Sequence, residues 1–163
     1  MRDKITMVNI CCTSKLLKRT GFPVEPSVPE PINALGNWYA NILFIHHRKI
    51  LLFVSERSRL AVVTPAKETR LLVSHLVHHL SILLDRLKVK PEWIVAEIRL
   101  MVDVRYTATK SRSVIGTMND YKFQIEELLS ISPKLNEIEI ALHLCDYPAG
   151  PLKYKTPEKV TLE

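Results

Sequence analysis

Two cations, Lys110 and Arg112, stand directly before a stretch with the apolar spacing of a helix, which we place at about residues 113–129. The amino-terminal end of a helix carries a partial positive charge, so cations at that end are locally unfavourable. A bound anion resolves the conflict, because free N–H groups, the cations and nearby hydroxyls can all converge on it. The sequence therefore predicts an anion-binding or phosphate-binding site formed by Lys110, Ser111, Arg112, Ser113 and Gly116.

Gly116 falls in the first turn of this predicted helix, where a glycine costs roughly 1 kcal/mol of helix propensity. The cost indicates that packing, or close access of a ligand to the backbone, requires a glycine there. The alternative for Lys110 and Arg112 is an ion pair across the fold, with Asp103 or Asp120 as the carboxylate partner. In that case the two cations serve the fold and not a ligand.

Histidines on the longest predicted helix offer a second kind of site. His75 and His79 are four residues apart, a spacing that can bind a metal ion. No glutamate follows His75, so the segment lacks the helical zinc-protease motif. Asp85 lies on the same side of the helix, and no other nearby carboxylate supplies a third ligand. The alternative is a set of histidines that face solvent or a partner.

Other catalytic signatures are missing, including a Gly-rich phosphate loop, a Gly-x-Ser-x-Gly elbow and a Cys-x-x-Cys pair. Two function classes remain. The first is a non-enzymatic binding or interaction domain, which we favour because no nucleophile–base pair is recognisable. The alternative is a small enzyme acting on a phosphate- or carboxylate-bearing substrate, between the helix start and Trp38, with Arg112, Asn119 and Asp120 as polar members. Neither class implies a cofactor.

Composition fits one ordinary domain over residues 1–163, with 47% hydrophobic residues. A formal net charge of +6 favours a weak attraction to nucleic acid or another polyanion, although no aromatic-studded basic stretch is present.

No apolar run reaches the roughly 20 residues that span a bilayer, and no signal peptide opens the sequence, so we expect a soluble cytoplasmic protein without a membrane partner. Leu162 and Glu163 have the look of a cloning scar, and the sequence leaves the oligomeric state open.

Three cysteines make a poor disulfide framework, because their number is odd and two of them are adjacent. Each of Cys11, Cys12 and Cys145 lies in an apolar stretch, which predicts small buried hydrophobic side chains. The alternative is a reactive thiol at Cys12, directly before a helix start that could lower its pKa.

The first third of the chain predicts a strand at residues 5–10 and a short helix that Thr13 caps and Gly21 ends. A loop with four prolines follows at residues 22–36 and excludes a helix or a central strand. We call this segment the Pro-rich loop. From Trp38 to Thr64, apolar runs and short polar turns alternate, which indicates a three-strand antiparallel meander.

Helical spacing then predicts amphipathic helices at residues 67–88, 92–101 and 113–129. Ile138, Ile140, Leu142 and Leu144 alternate strictly, which favours a late strand, and the tail from about residue 148 looks irregular. The sequence therefore predicts an α+β fold: an antiparallel or mixed sheet built on the three-strand meander (about 38–64), with three amphipathic helices packed on it.

Three blocks carry a family resemblance: Cys12-Thr-Ser-Lys-Leu-Leu, the run 36–57 that contains Asn-Trp-Tyr-Ala, and Lys110-Ser-Arg-Ser-Val-Ile-Gly-Thr-Met-Asn-Asp. In these blocks the chain resembles an uncharacterised bacterial family known only as a domain of unknown function. The blocks extend over nearly the whole chain, so the resemblance implies a single domain. It implies no activity, cofactor or catalytic residue.

Overall fold

The computed structural model describes residues 7–146, which form a sheet with helices packed against it. The strands are β1 (Met7–Cys12), β2 (Trp38–Ile45), β3 (Arg48–Ser55), β4 (Ala61–Pro65) and β5 (Asp103–Ala108). The helices are α1 (Ser14–Thr20), α2 (Leu72–Arg86), α3 (Pro91–Arg99), α4 (Arg112–Ile131) and α5 (Glu137–Cys145), and a 3₁₀ turn (Thr69–Leu71) leads into α2.

The sheet is mixed and open, with the strand order β4-β3-β2-β1-β5. Strand β1 pairs in parallel with both β2 and β5, whereas β2, β3 and β4 form the antiparallel meander. The predicted α+β class and the predicted meander are therefore confirmed. All six residues of β1 are buried, which is typical of a strand between two neighbours with both faces covered.

Local sequence explains how α1 and the segment after it are built. The Thr13 side chain accepts a hydrogen bond from Leu16 N and caps the helix. Gly21 ends it in the left-handed conformation at φ +67°, which a glycine adopts without a steric cost. Both predicted caps are confirmed, and the Pro-rich loop contains neither a helix nor a strand.

Helices α2, α3 and α4 confirm the three predicted amphipathic helices, with shifted ends. The buried stripe of α2 consists of Leu72, Leu76, Leu80, Leu83 and Leu84. Pro91 occupies the first turn of α3, where its missing N–H removes no helical hydrogen bond. The buried side chains of β1–β4 and of the helices form one hydrophobic core.

Two elements differ from the prediction. The late strand is wrong, because residues 137–145 form α5, which buries Ile140, Ala141, Leu144 and Cys145 on one side. Asn136 and Glu139 close a reciprocal capping box at its start, and this local stabilisation favours a helix. Strand β5 was not predicted. Within its described part the structure thus contains five α-helices: the predicted short helix α1, the three predicted amphipathic helices, and α5.

No helix within residues 7–146 is long and apolar enough to cross a lipid bilayer. The tail from about residue 148, including Leu162 and Glu163, lies outside the described residues. The prediction of one domain over residues 1–163 therefore stays a prediction.

Candidate functional site

The register of the sheet brings Thr107, Cys11 and Tyr39 into one row. Cys11 of β1 pairs with Tyr39 on β2 and with Thr107 on β5. Side chains of directly paired residues project from the same face of a sheet. These three side chains, which all carry a polar atom, therefore form a small polar floor on the sheet.

A second polar row lies beside this floor. Asn9 pairs with Arg105 on β5, and its Nδ2 donates a hydrogen bond of 3.0 Å to Oδ1 of Asn37, just before β2. The backbone N–H of Glu56, just after β3, donates to the carbonyl oxygen of Asn37 at 2.9 Å. Asn37 and Glu56 are thereby held at the ends of their strands, next to the floor.

The Pro-rich loop forms a roof over these rows, and hydrogen bonds from the sheet hold it in place. Asn9 Nδ2 donates to the carbonyl oxygen of Pro29 at 2.7 Å. Glu25 N donates to the carbonyl oxygen of Tyr106 at 2.9 Å, and Thr107 Oγ1 donates to the carbonyl oxygen of Glu25 at 3.0 Å. The loop is therefore a fixed part of the site.

Between the loop and the floor lies a cavity of about 330 Å³. Cys11, Tyr39 and Thr107 line it from the sheet, and loop residues 28–31 line it from above. The remaining wall consists of Asn37, Glu56, Lys110 and Ser111. Its volume is at the lower end of the range for cavities that bind small molecules, about 300–1,000 Å³.

The start of α4 is fixed to the cavity floor through Ser111. The Ser111 side chain accepts a hydrogen bond from Val114 N at 3.2 Å and caps the helix. Ser111 N donates to the hydroxyl oxygen of Tyr39 at 3.0 Å. The preceding residue, Lys110, donates from Nζ to the carbonyl oxygen of Pro26 at 3.3 Å. Helix start, floor and roof are thus linked by hydrogen bonds.

The cavity wall carries charges of both signs, with Lys110 as the cation and Glu30 and Glu56 as the carboxylates. Burial, together with the negative charge of Glu56, raises the pKa of the Cys11 thiol to about 11, against the lowering effects of its hydrogen bond with Tyr39 and of the Lys110 charge. Burial also raises the pKa of Tyr39, against the effect of its hydrogen bond from Ser111. Thiol and phenol are therefore both protonated at neutral pH.

The structure brings two of the five predicted anion-site residues, Lys110 and Ser111, to this cavity. Arg112 and Gly116 are exposed on α4 and do not line it. Ser113 is exposed as well, and its Oγ accepts a hydrogen bond from Arg59 Nη2 at 3.0 Å. Among the described residues, no carboxylate forms an ion pair with Lys110 or Arg112, so the alternative of pairing with Asp103 or Asp120 finds no support there.

The polar residues predicted for an enzyme site do not line this cavity. Asn119 and Asp120 are exposed on α4 and do not line the cavity, and Trp38 is completely buried. Cys12 is also completely buried, and burial raises its pKa to about 12, so it is a small core side chain and not a reactive thiol.

The predicted metal pair occupies one side of α2. The ring nitrogen Nδ1 of His79 lies 3.1 Å from the carbonyl oxygen of His75, one helical turn earlier. Burial lowers the pKa of His79. Within residues 7–146, no group of three or more His, Cys, Asp or Glu side chains could hold a metal ion. The pair therefore lacks a third ligand within that part of the chain.

Sequence reasoning missed Cys11, Asn37, Glu56 and Thr107 as site residues. They are distant in the chain, and each has an unremarkable local context. Cys11, Asn37 and Glu56 meet through the pairing of β1 with β2 and of β2 with β3. Thr107 joins them because β5 adds to the free edge of β1, a pairing that the sequence pattern did not reveal.

A comparison with known families matches residues 9–160 to one described as a domain of unknown function (DUF6933). No curated protein and no solved structure matches the chain.

Proposed function

The chain belongs to this domain family, DUF6933, and we propose that it is a non-enzymatic binding domain whose ligand occupies the cavity beneath the Pro-rich loop. The observation that carries the proposal is the composition of the cavity wall, in which Lys110 and Ser111 occur together with Glu30 and Glu56. Such a wall suits a small polar molecule better than an apolar one.

The charges narrow the ligand class. Lys110 and the hydroxyl of Ser111 suit a carboxylate or a phosphate, as the helix-start position suggests. Glu30 and Glu56 would repel a ligand with only negative charge, but they suit an ammonium or another hydrogen-bond donor. The proposed ligand is therefore zwitterionic, with an anionic group toward Lys110 and an amino group toward the carboxylates. The volume of about 330 Å³ limits it to a small molecule.

Binding fits the site better than covalent catalysis. A thiol is a nucleophile as the thiolate, and the pKa of about 11 keeps Cys11 protonated near neutral pH. No histidine within residues 7–146 lines the cavity to serve as its base. Cys11 and Tyr39 instead act as fixed, neutral members of the floor.

Titration of the isotope-labelled protein with three sets of probes tests the proposal, and the shifts of the amide NMR signals report binding. The probes are the free α-amino acids, the simple carboxylates acetate and propionate, and inorganic phosphate. We expect one or more amino acids to shift the amide signals of Lys110 and Ser111, with weaker effects from the other probes. Lys110→Met should weaken that binding at least about ten-fold, since a charge-assisted hydrogen bond is lost.

Lys134→Met is the matched control, because Lys134 is an exposed lysine outside the cavity wall. It should bind as the unmodified protein does. Equal binding of acetate, phosphate and amino acids would contradict the role of Glu30 and Glu56. No shift at the cavity from any amino acid, or full binding by Lys110→Met, would contradict the proposed site.

A further inference from the structure

Phe44 is a large aromatic side chain that β2 exposes to solvent, with 44% of its surface accessible. Side chains alternate between the two faces of a strand, so Phe44 projects from the face opposite to Tyr39 and the cavity. The exposed ring is therefore independent of the site described above. It needs a separate explanation, because Ile42, the preceding residue on the same face of β2, is completely buried.

Three cations surround this ring. Lys15 Nζ lies 4.6 Å from the ring centroid, Arg19 Cζ lies 5.2 Å from it, and Lys49 Nζ lies 5.7 Å from it. Lys15 and Arg19 project from α1, and Lys49 is the direct cross-strand partner of Phe44 on β3. We call these four residues the aromatic–basic patch.

The patch brings like charges together without a described counterion. Lys15 and Arg19 are four residues apart on one helix, a spacing at which like charges destabilise the helix slightly. None of the three cations forms an ion pair with a carboxylate among the residues that the structure describes. The attraction of each cation to the ring offsets only part of this repulsion. An anionic partner would remove the rest.

We propose that the aromatic–basic patch binds single-stranded nucleic acid. A base stacks on the Phe44 ring, and neighbouring phosphates pair with Lys15, Arg19 and Lys49 as these flexible side chains move off the ring. Stacking on an aromatic ring within a basic surface is the usual way in which proteins bind single strands without sequence preference. The formal net charge of +6 adds a long-range attraction to the same partner.

The surroundings favour a single strand over an anionic membrane. Phe44 lines a groove together with Glu126 and Glu127 of α4. A flat anionic bilayer would press against these carboxylates as well as against the cations. A single strand can follow the cationic side alone. An acidic peptide would pair with the cations and leave the aromatic ring without a specific role.

The chain sequence contains no aromatic-studded basic stretch, and the fold assembles this patch from α1, β2 and β3. Such an arrangement is visible only after the register between Phe44 and Lys49 is known. It is distinct from the predicted anion site at Lys110, which lies on the other face of the sheet.

Fluorescence anisotropy with labelled single-stranded oligonucleotides, dT and rU decamers, tests the proposal on the full chain. We expect binding at low salt with a log–log salt slope of about −2, as three phosphate contacts on a single strand predict. Lys15→Ala should weaken binding and reduce the magnitude of that slope by roughly 0.7. Phe44→Leu should weaken binding at least roughly five-fold, because it removes the stacking surface.

Two variants make the test specific. Phe44→Trp keeps an aromatic face and should retain binding, unlike Phe44→Leu. If Phe44 served only as an apolar side chain, the two variants would bind equally well. Lys90→Ala removes an exposed cation between α2 and α3, outside the patch, and should leave the affinity unchanged.

Absence of binding at low salt would overturn the proposal, as would equal affinities of Phe44→Leu and Phe44→Trp. If Lys90→Ala and Lys15→Ala weaken the affinity equally, binding depends on net charge alone, and the aromatic–basic patch is not the binding site. Binding to phosphatidylserine vesicles or to a poly-glutamate peptide, without binding to either oligonucleotide, would contradict the nucleic-acid proposal. The partner of the patch would then be an anionic membrane or an acidic peptide. Lys110→Met should bind oligonucleotides with the affinity of the unmodified protein. Failure of the cavity proposal can therefore be told apart from failure of the patch proposal.

Discussion

Asn33 and Glu97 are 64 residues apart in the chain and meet in the interior, where Asn33 Nδ2 donates a hydrogen bond of 2.9 Å to Glu97 Oε1. The same carboxylate accepts hydrogen bonds from Ala34 N at 3.0 Å and from Leu35 N at 3.2 Å. Glu97 is 3% exposed, and its bonds from Asn33 and Leu35 are buried, whereas the bond from Ala34 is part-buried. One buried carboxylate on α3 therefore fixes the end of the Pro-rich loop that roofs the cavity.

Glu97→Ala should destabilise the protein by about 2–4 kcal/mol, because it leaves three donors without their acceptor and two of these bonds are buried. Urea denaturation measures this loss. Hydrogen exchange should locate the effect at the backbone N–H groups of Ala34 and Leu35, which lose protection first. Glu92→Gln is the control, because Glu92 is an exposed carboxylate on the same helix and should change stability by less than about 0.5 kcal/mol. Similar losses for both variants would contradict the anchoring role.

Gly36 and Gly21 form a matched pair, because both have a positive φ but only one is crowded. Gly36 has φ +74°, and an added Cβ would lie 3.0 Å from Cγ of Arg57. Gly21 has φ +67° and open space around the same position. Gly21→Ala should cost about 1–2 kcal/mol from the backbone conformation alone. Gly36→Ala should cost more, since the Arg57 side chain must also move, and thermal unfolding of the two variants compares these costs directly.

Gly116 lacks a positive φ, and no neighbouring atom lies within 4 Å of the position that a Cβ would occupy, so packing does not require a glycine there. Gly116→Ala should therefore raise the free energy of unfolding by about 0.5–1 kcal/mol, as alanine does in the interior of a helix. Urea denaturation measures the gain. A loss of stability would show that the first turns of α4 need the flexibility of a glycine.

Cys11 and Cys12 make stability depend on pH in the alkaline range. Burial raises their pKa values from 9.0 to about 11 and about 12, so the unfolded chain loses these protons at a lower pH than the folded protein. The folded state then binds more protons, and stability should fall as pH rises from about 9 toward 11. Urea midpoints at pH 7.5, 9 and 10 measure this fall.

The double variant Cys11→Ala, Cys12→Ala is the reference for this pH effect. It lacks both thiols but keeps the lysines and tyrosines, so its stability should fall less steeply over the same pH range. Identical slopes for the two proteins would assign the alkaline loss to other groups.

Local signals predicted the parts of the fold in which neighbours along the chain also pair in space. The meander and the capped helix α1 belong to this class, since turns and caps at Thr13 and Gly21 act within a few residues. The error at α5 came from reading alternation among Ile138, Ile140 and Leu142 as a strand. In a helix with apolar residues on several sides, the same alternation arises by chance.

The candidate site was predictable only in part. Lys110 and Ser111 were found because a helix start is a local feature with a known preference for anions. Strand β5 escaped prediction because only Thr107 among its six residues is buried, so its sequence lacks the apolar signal of an inner strand. Without β5, nothing in the sequence connects Thr107 with Cys11 and Tyr39.

The position of β1 between β2 and β5 has a consequence for synthesis on the ribosome. The meander needs only contacts between adjacent segments, and such contacts form quickly. Strand β1 emerges first, yet it receives its second partner only after most of the chain has followed. We therefore expect the nascent protein to complete the meander early and to keep one edge of β1 open to chaperones until β5 closes it.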